Sequence, residues 1–380
     1  MSGFEVKGWC PGALRPMLSG DGWLVRIRPP GGRLSRAQAE GIARAALAHG
    51  NGIIDLSARA NLQLRGVSET SHGPLIADLD ALGLIDPDIE TESLRNLIVT
   101  PFRDEETETL ATGFAKALTR LPRLPGKFGF ALDCGPRPVL TNASADIRVE
   151  RSADGQLILR PDGHPFGKPV TDLGTDVLSM ADWFLTLGGM TNGRGRMAAL
   201  IGRGMVPDGC NTPPAEPLSQ PGPGLHPAGA LVALAFGQMA ARTLAVLAAL
   251  SHEIRPTPWR MLMLAGVKAM PVLPEVIASP DDPLLQVMAC TGAPGCPQAL
   301  GETRSLARSL AGHIPHGRHL HVSGCAKGCA HPGPTDLTLV ASTQGYDLVR
   351  GGTASDTPER RGLSPAALPD LLKAQHAPPL

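Results

Sequence analysis

Two stretches of this chain, 200 residues apart, carry the same pattern, and a chain that repeats itself is constrained to fold as two copies of one unit. Residues 54–67 (IDLSARANLQLRGV) run parallel to residues 254–267 (IRPTPWRMLMLAGV), and both end Leu-x-Leu-x-Gly-Val. Each copy follows a strand-like run (23–27, 231–234) and then a segment of helical apolar period (37–48, 239–250). Strand, helix, strand in both places predicts two related α/β half-domains. The order along the chain is a half-domain (1–80), a larger α/β unit (81–206), a linker (207–229), a second half-domain (230–277) and a second larger α/β unit (278–380). The linker contains NTPPAEPLSQPGPG, a composition that resists regular structure.

At 380 residues there is chain enough for two or three cores. Lysine plus arginine equals aspartate plus glutamate at 35 each, so no long-range field gathers nucleic acid or anionic lipid, and any anion site must be a local cluster. The amino terminus, MSGFEVKGWCPG, has no apolar run after a basic start, so no secretory signal is expected. The longest apolar stretch, 230–250, is interrupted by Gln238 and Arg242 and is rich in alanine; it reads as a helix packed on a sheet, not as a membrane span. Seven cysteines is an odd number for a disulfide framework and points to metal or redox use in a reducing, cytoplasmic compartment.

Four of the seven cysteines fall within forty residues, as Cys290-x5-Cys296 and Cys325-x3-Cys329. Four thiolates suit zinc or an iron–sulfur cluster. The x5 spacing is wide for a zinc knuckle, and Gly292, Gly295, Gly324 and Gly328 let backbone amides approach cluster sulfur, so a cluster fits better. Cys10, Cys134 and Cys210 have no partner at metal spacing and read as small hydrophobes.

Around Asn61 the sequence alternates: Leu62 and Leu64 point one way, and Arg59, Asn61, Gln63 and Arg65 the other. Two arginines on one strand face would make a platform for carboxylates. In the second copy Trp259, Met261, Met263 and Ala265 stand at those places, so the matching face becomes apolar and is expected to pack elsewhere.

The spacing of the four cysteines resembles that of the sulfite and nitrite reductase superfamily, and HVSGCAKGCAHP (321–332) resembles the cluster loop of its precorrin-3B synthase branch. The resemblance extends to Arg59-x-x-x-Gln63-x-x-Gly66, to Arg95-Asn96-Leu97-Ile98-Val99 and to Leu124-Pro125-Gly126-Lys127-Phe128-Gly129. It implies two ferredoxin-like half-domains forming one domain, two further α/β domains, and a pseudo-twofold axis. It also implies a [4Fe-4S] cluster on Cys290, Cys296, Cys325 and Cys329. Arg59, Arg95 and Lys127 become candidate catalytic residues, and these three with Asn61, Gln63 and Arg65 candidate binders of a tetrapyrrole.

Gly129 departs from the reductase pattern, which has a second active-site lysine there; an oxyanion reductase is thereby disfavoured. The branch resemblance implies O2-dependent hydroxylation of precorrin-3A with closure of a γ-lactone, giving precorrin-3B in aerobic cobalamin biosynthesis. It also implies a mononuclear non-haem iron, for which the sequence offers no ligand pattern; His313, His316, His319 and His321 read as a polar loop, with His321 and His331 the first to test. The alternative is a sirohaem sulfite or nitrite reductase, with Cys329 bridging the two groups. A rival of another class is an electron carrier or a zinc-stabilised scaffold. No Gly-x-Gly-x-x-Gly stands between a strand and a helix, so electrons are expected from a separate reductase.

Overall fold

The computed structural model describes residues 11–373; Cys10 lies outside them. Four sheets organise the chain. In the first, strands Met17–Ser19, Gly22–Ile27, Leu62–Val67 and Ile53–Leu56 are antiparallel neighbours in that order. In the third, Gly224–His226, Gly229–Leu234, Met261–Ala265 and Glu253–Pro256 repeat the arrangement.

The duplication is visible in the backbone. Ala60 and Arg260 both adopt positive φ, 56° and 60°. Each closes a turn in which its N–H reaches the carbonyl three residues back, on Ser57 or Thr257. A side-chain-bearing residue seldom takes that conformation, and here it recurs 200 positions on. Gly66 and Gly266 match in the same way, at 71° and 73°.

Each half-domain lends a strand to the other. Leu34–Ser35 pairs with Glu253–Pro256, and Gln238–Ala240 pairs with Ile53–Leu56. Helices Arg36–His49 and Ala241–Leu250 then pack on each other over one core shared by both copies, including Ile42, Leu62, Leu64, Leu244, Leu262 and Leu264. Ser35 accepts from Gln38 N–H and Gln38 bonds back to the Ser35 N–H, a capping box that starts the first helix where the crossing strand ends.

The other face differs between the copies. Leu231, Ala233, Met261 and Met263 are buried against Val287, Ala289, Leu320 and Val322 of the fourth sheet, so the second copy packs on the cysteine-bearing unit. Alternation along the strand, period two, explains why both faces of Met261–Ala265 are buried.

The remaining sheets share one plan. Leu97–Val99, Phe130–Asp133 and Ile147–Arg151 are parallel, followed by antiparallel Leu157–Pro161 and Lys168–Pro169. Val287–Ala289, Leu320–Ser323 and Thr335–Ser342 are parallel, followed by antiparallel Gly345–Gly352 and Arg360–Leu363. Phe114, Phe128, Phe130 and Phe184 fill the core of the first of these units.

Two expectations are corrected. Within residues 230–250 the strand read at 231–234 forms as Gly229–Leu234, but the stretch is not helical throughout: a 3-10 turn and a short strand follow, and the helix, of 10 residues, starts only at Ala241. The crossover to the partner sheet consumes the first half of the stretch. The Pro/Gly-rich linker is not wholly irregular either: Gly224–His226 joins a sheet, and Thr212 and Pro214 bridge to Gly167 and Ser152. Among the described residues no helix is long and apolar enough to cross a membrane.

Candidate active site

The four clustered cysteines converge. Cys290 follows Val287–Ala289, and its N–H donates to Val322 O at 3.3 Å, which lays the first cysteine loop beside the strand leading to Cys325. Gly324 N–H donates to Cys290 Sγ at 3.2 Å, and Leu300 N–H to Gly324 O at 2.8 Å. A β-carbon on Gly324 would lie 2.7 Å from Ala299 Cβ, so only glycine allows the two loops to approach this closely. The thiol of Cys329 is pushed up by partial burial, opposed by Lys327, and raised further by the negative charge of Cys290, Cys325 and Cys296.

The donor set fits a cubane. Each thiolate of a [4Fe-4S] cluster binds a different iron, so the sulfurs stand farther apart than those around one ion. His321, on the strand Leu320–Ser323, is fully buried, and both ring nitrogens lack a hydrogen-bond partner among the described residues. Its Cε1 lies 3.7 Å from where a β-carbon on Gly328 would sit, between Cys325 and Cys329. A buried imidazole without partners is costly, and a cluster sulfur is an acceptor that would relieve it. The reading of His321 as loop is thus corrected. Burial, then His331 and Arg260, push its pKa down to about 4.

A mononuclear iron is not matched. Among the described residues no three His, Cys, Asp or Glu side chains converge tightly enough for a single metal ion. The rings of His321 and His331 are 6.1 Å apart, and His331 Nε2 is turned to Pro334 O at 3.3 Å. His319 sits beside Asp336 at 3.7 Å, with its side chain 55% exposed.

Beside the cysteine loops opens a cleft of about 980 Å³, walled by Ser144 of the first α/β unit, Trp259 and Arg260 of the second half-domain, and His331 and Asp336 of the cysteine-bearing unit. Trp259 and Arg260 reach it because they occupy the positive-φ turn before Met261–Ala265. The second copy therefore contributes to the cleft as well as packing. Arg260 Nη2 donates to Ala330 O at 3.3 Å, next to Cys329.

The basic residues named from sequence are dispersed. Arg59 lies in the turn before the strand Leu62–Val67, not on it; its Nη2 donates to Lys127 O and Ser144 Oγ, both at 2.9 Å. Arg65 is on the strand but only 5% exposed, bound to Asp21 at 2.7 Å and Asp55 at 3.1 Å. The two arginines thus form no common platform, because the turn carries one away and carboxylates claim the other. Gln63 Oε1 accepts from Arg26 Nη2 at 2.7 Å, and Asn61 is buried.

Arg95 pairs with Asp86 at 2.7 Å and lines a separate cavity of about 130 Å³. Its neighbour Asn96 donates from Nδ2 to Phe128 O at 3.1 Å and Gly126 O at 3.4 Å. With Arg59 on Lys127 O, the backbone around the exposed Lys127 is held on three successive carbonyls.

Sequence reasoning missed Arg196 and Arg260. Arg196 grips Asp146 at 2.9 Å and reaches Ser144 Oγ at 3.3 Å, so two guanidiniums meet on one cleft-lining hydroxyl. No motif marks either residue; only the turn geometry shared with Ala60 could have flagged Arg260. Cys134 and Cys210 lie away from the site. Cys134 is core, its thiol pushed up to about 12 by burial.

Residues 15–82 match the nitrite/sulfite reductase ferredoxin-like half domain. The structure superposes on that of the Mycobacterium tuberculosis NirA protein with a TM-score of 0.58, covering 92% of this chain and 79% of that one at 16% identity. The fold is thus that of the nitrite/sulfite reductase class, with two ferredoxin-like half-domains joined in one domain and two α/β domains. Among curated relatives, a Sinorhizobium precorrin-3B synthase is 30% identical over 93% of this chain and 84% of its own length. The ferredoxin–nitrite reductase of Leptolyngbya laminosa is 24% identical over 90% of this chain and 82% of its own. This chain belongs to the precorrin-3B synthase family of that class, a family of oxidoreductases.

Proposed function

We propose that this enzyme converts precorrin-3A to precorrin-3B in aerobic cobalamin biosynthesis, by O2-dependent hydroxylation of the macrocycle and closure of a γ-lactone from an acetate arm. The observation that carries the reading is that the loop bearing Cys290 and Cys296 is hydrogen-bonded to the loop bearing Cys325 and Cys329 beside a cleft of about 980 Å³, in a chain 30% identical to a precorrin-3B synthase. These cysteines would hold a [4Fe-4S] cluster, which when bound would supply the single electrons that dioxygen chemistry requires.

The chain's own residues do the rest. The Gly324 amide donates to Cys290 Sγ, and the buried His321 imidazole has a ring N–H left over for a cluster sulfur. Trp259 offers a flat apolar wall to a ring system. Arg59 and Lys127 bind acetate and propionate arms, with Arg260 of the cleft wall and Arg196 on the cleft-lining Ser144 adding positive charge; Asn61 N–H, like that of Arg59, donates to Ser57 Oγ and so braces the turn, while Gln63 is held by Arg26. Arg95, paired with Asp86 at a separate cavity, has no part in this cleft. Electrons come from an external reductase in a reducing, cytoplasmic compartment.

The test is aerobic incubation of the reconstituted protein with precorrin-3A and a reductant under labelled dioxygen, followed by mass analysis. A product carrying one labelled oxygen is expected. Strong Soret and α bands in the purified protein, with sulfite or nitrite reduced and precorrin-3A untouched, would instead establish a sirohaem reductase.

A further inference from the structure

We propose that Arg65, with Ser19 and Gly20, is a clamp that holds the loop between Cys290 and Cys296 in position for the cluster, a positioning role that rests on the cluster reading above. The carbonyl of Gly295, the residue before Cys296, receives three donors from the first half-domain. They are Ser19 Oγ at 2.9 Å, Gly20 N–H at 3.2 Å and Arg65 Nη2 at 3.2 Å. A carbonyl offers two lone pairs, so this one is saturated.

The rest of the Arg65 fork is fixed as well. Nε and one Nη2 hydrogen go to Asp21 at 2.7 Å each and Nη1 goes to Asp55 at 3.1 Å, while the second Nη2 hydrogen is shared between Gly295 O and Ser19 Oγ at 3.1 Å. Asp55 also accepts from Gln238 Nε2 at 2.9 Å, on the strand lent by the second half-domain, and pairs at 3.3 Å with Arg304 of the cysteine-bearing unit. Two guanidiniums face two carboxylates, so the group is neutral and imposes little field. Its effect on the loop is geometric: three parts of the molecule meet through one planar fork.

Contact with the loop is backbone to backbone. A β-carbon on Gly20 would lie 2.6 Å from Pro294 O and 3.0 Å from Gly295 C. Movement there reaches the ligands directly, because Cys296 N–H donates to Gly292 O at 2.8 Å and Gly292 abuts Gly324, the neighbour of Cys325. The clamp belongs to one copy alone: Ala265 and Arg255 stand at the places of Arg65 and Asp55.

The experiment compares wild type, Arg65→Lys and Gly20→Ala, each purified with its cluster. It measures iron and acid-labile sulfide, the rate of bleaching by an iron chelator, and the electron paramagnetic resonance of the reduced cluster. Lysine keeps the charge and loses the fork, while Gly20→Ala wedges the loop without touching a buried ion pair. Both variants are expected to bleach about tenfold faster than wild type, the effect of one buried hydrogen bond lost, and to show displaced g-values. Firm retention with an unchanged spectrum in both would overturn the clamp, and weakened tetrapyrrole affinity alone in Arg65→Lys would return that residue to substrate binding. Wild type lacking iron and sulfide would overturn the cluster reading itself, and the clamp with it.

Discussion

The guanidinium of Arg59 occupies the space beside Gly129: a β-carbon there would lie 3.0 Å from Arg59 Nη1, with Asn96 O at 3.3 Å and Ser144 O at 3.4 Å closing the other sides. The absence of a side chain at 129 is therefore what lets Arg59 reach Ser144 and the carbonyl of Lys127. Glycine at 129 thus leaves room for a guanidinium held at the wall of the cleft.

Gly129→Lys should displace Arg59 and break both of those bonds. Affinity for the tetrapyrrole is expected to fall about tenfold, in line with one charge-assisted bond lost. Binding titrations of the variant against wild type measure it, and an unchanged affinity would show that Arg59 does not contact the ligand.

If carboxylate arms are held by exposed cations, tetrapyrrole affinity falls as salt rises. Arg59→Ala and Lys127→Ala should each weaken binding and flatten that dependence. Titrations at several ionic strengths decide the point, and an affinity indifferent to salt in wild type counts against the carboxylate contacts.

Cys325→Ser should abolish iron and sulfide retention, whereas Cys134→Ala should leave both unchanged. Burial that pushes the Cys134 thiol up to about 12 keeps it protonated and unreactive. Alkylation of native protein followed by peptide mapping is expected to find Cys134 unlabelled until the chain is unfolded.

Asp133 ends the strand Phe130–Asp133 and accepts from Val139 and Leu140 N–H at 2.6 and 2.7 Å, holding the loop that leads to Ser144. Burial pushes its pKa up to about 6 from an ordinary 3.8. The native state therefore takes up a proton before the unfolded chain does, and this group's contribution to stability rises as pH falls from above 6 towards 4. Asp133→Asn keeps the acceptor and removes the charge. It should flatten that segment of the pH profile and raise stability at neutral pH by up to about 3 kcal/mol, measurable by denaturant unfolding across pH.

Patterns that lie close together in the chain were legible in the sequence. The repeat of 54–67 at 254–267 announces two copies of one unit, because a fold element is specified by neighbours a few residues apart. Cys290-x5-Cys296 and Cys325-x3-Cys329 announce four thiolates in two loops for the same reason. Partnership between distant residues was decided only by the tertiary structure. Arg59 and Arg65 look alike in sequence; one is held at the cleft by Ser144 and the other is claimed by Asp21, Asp55 and Gly295. Likewise the exchange of Leu34–Ser35 and Gln238–Ala240 between half-domains, and the burial of His321 without a partner among the described residues, depend on chain that is remote in sequence. Burial and hydrogen bonding set what a charged side chain can do, and both come from neighbours that local sequence does not name.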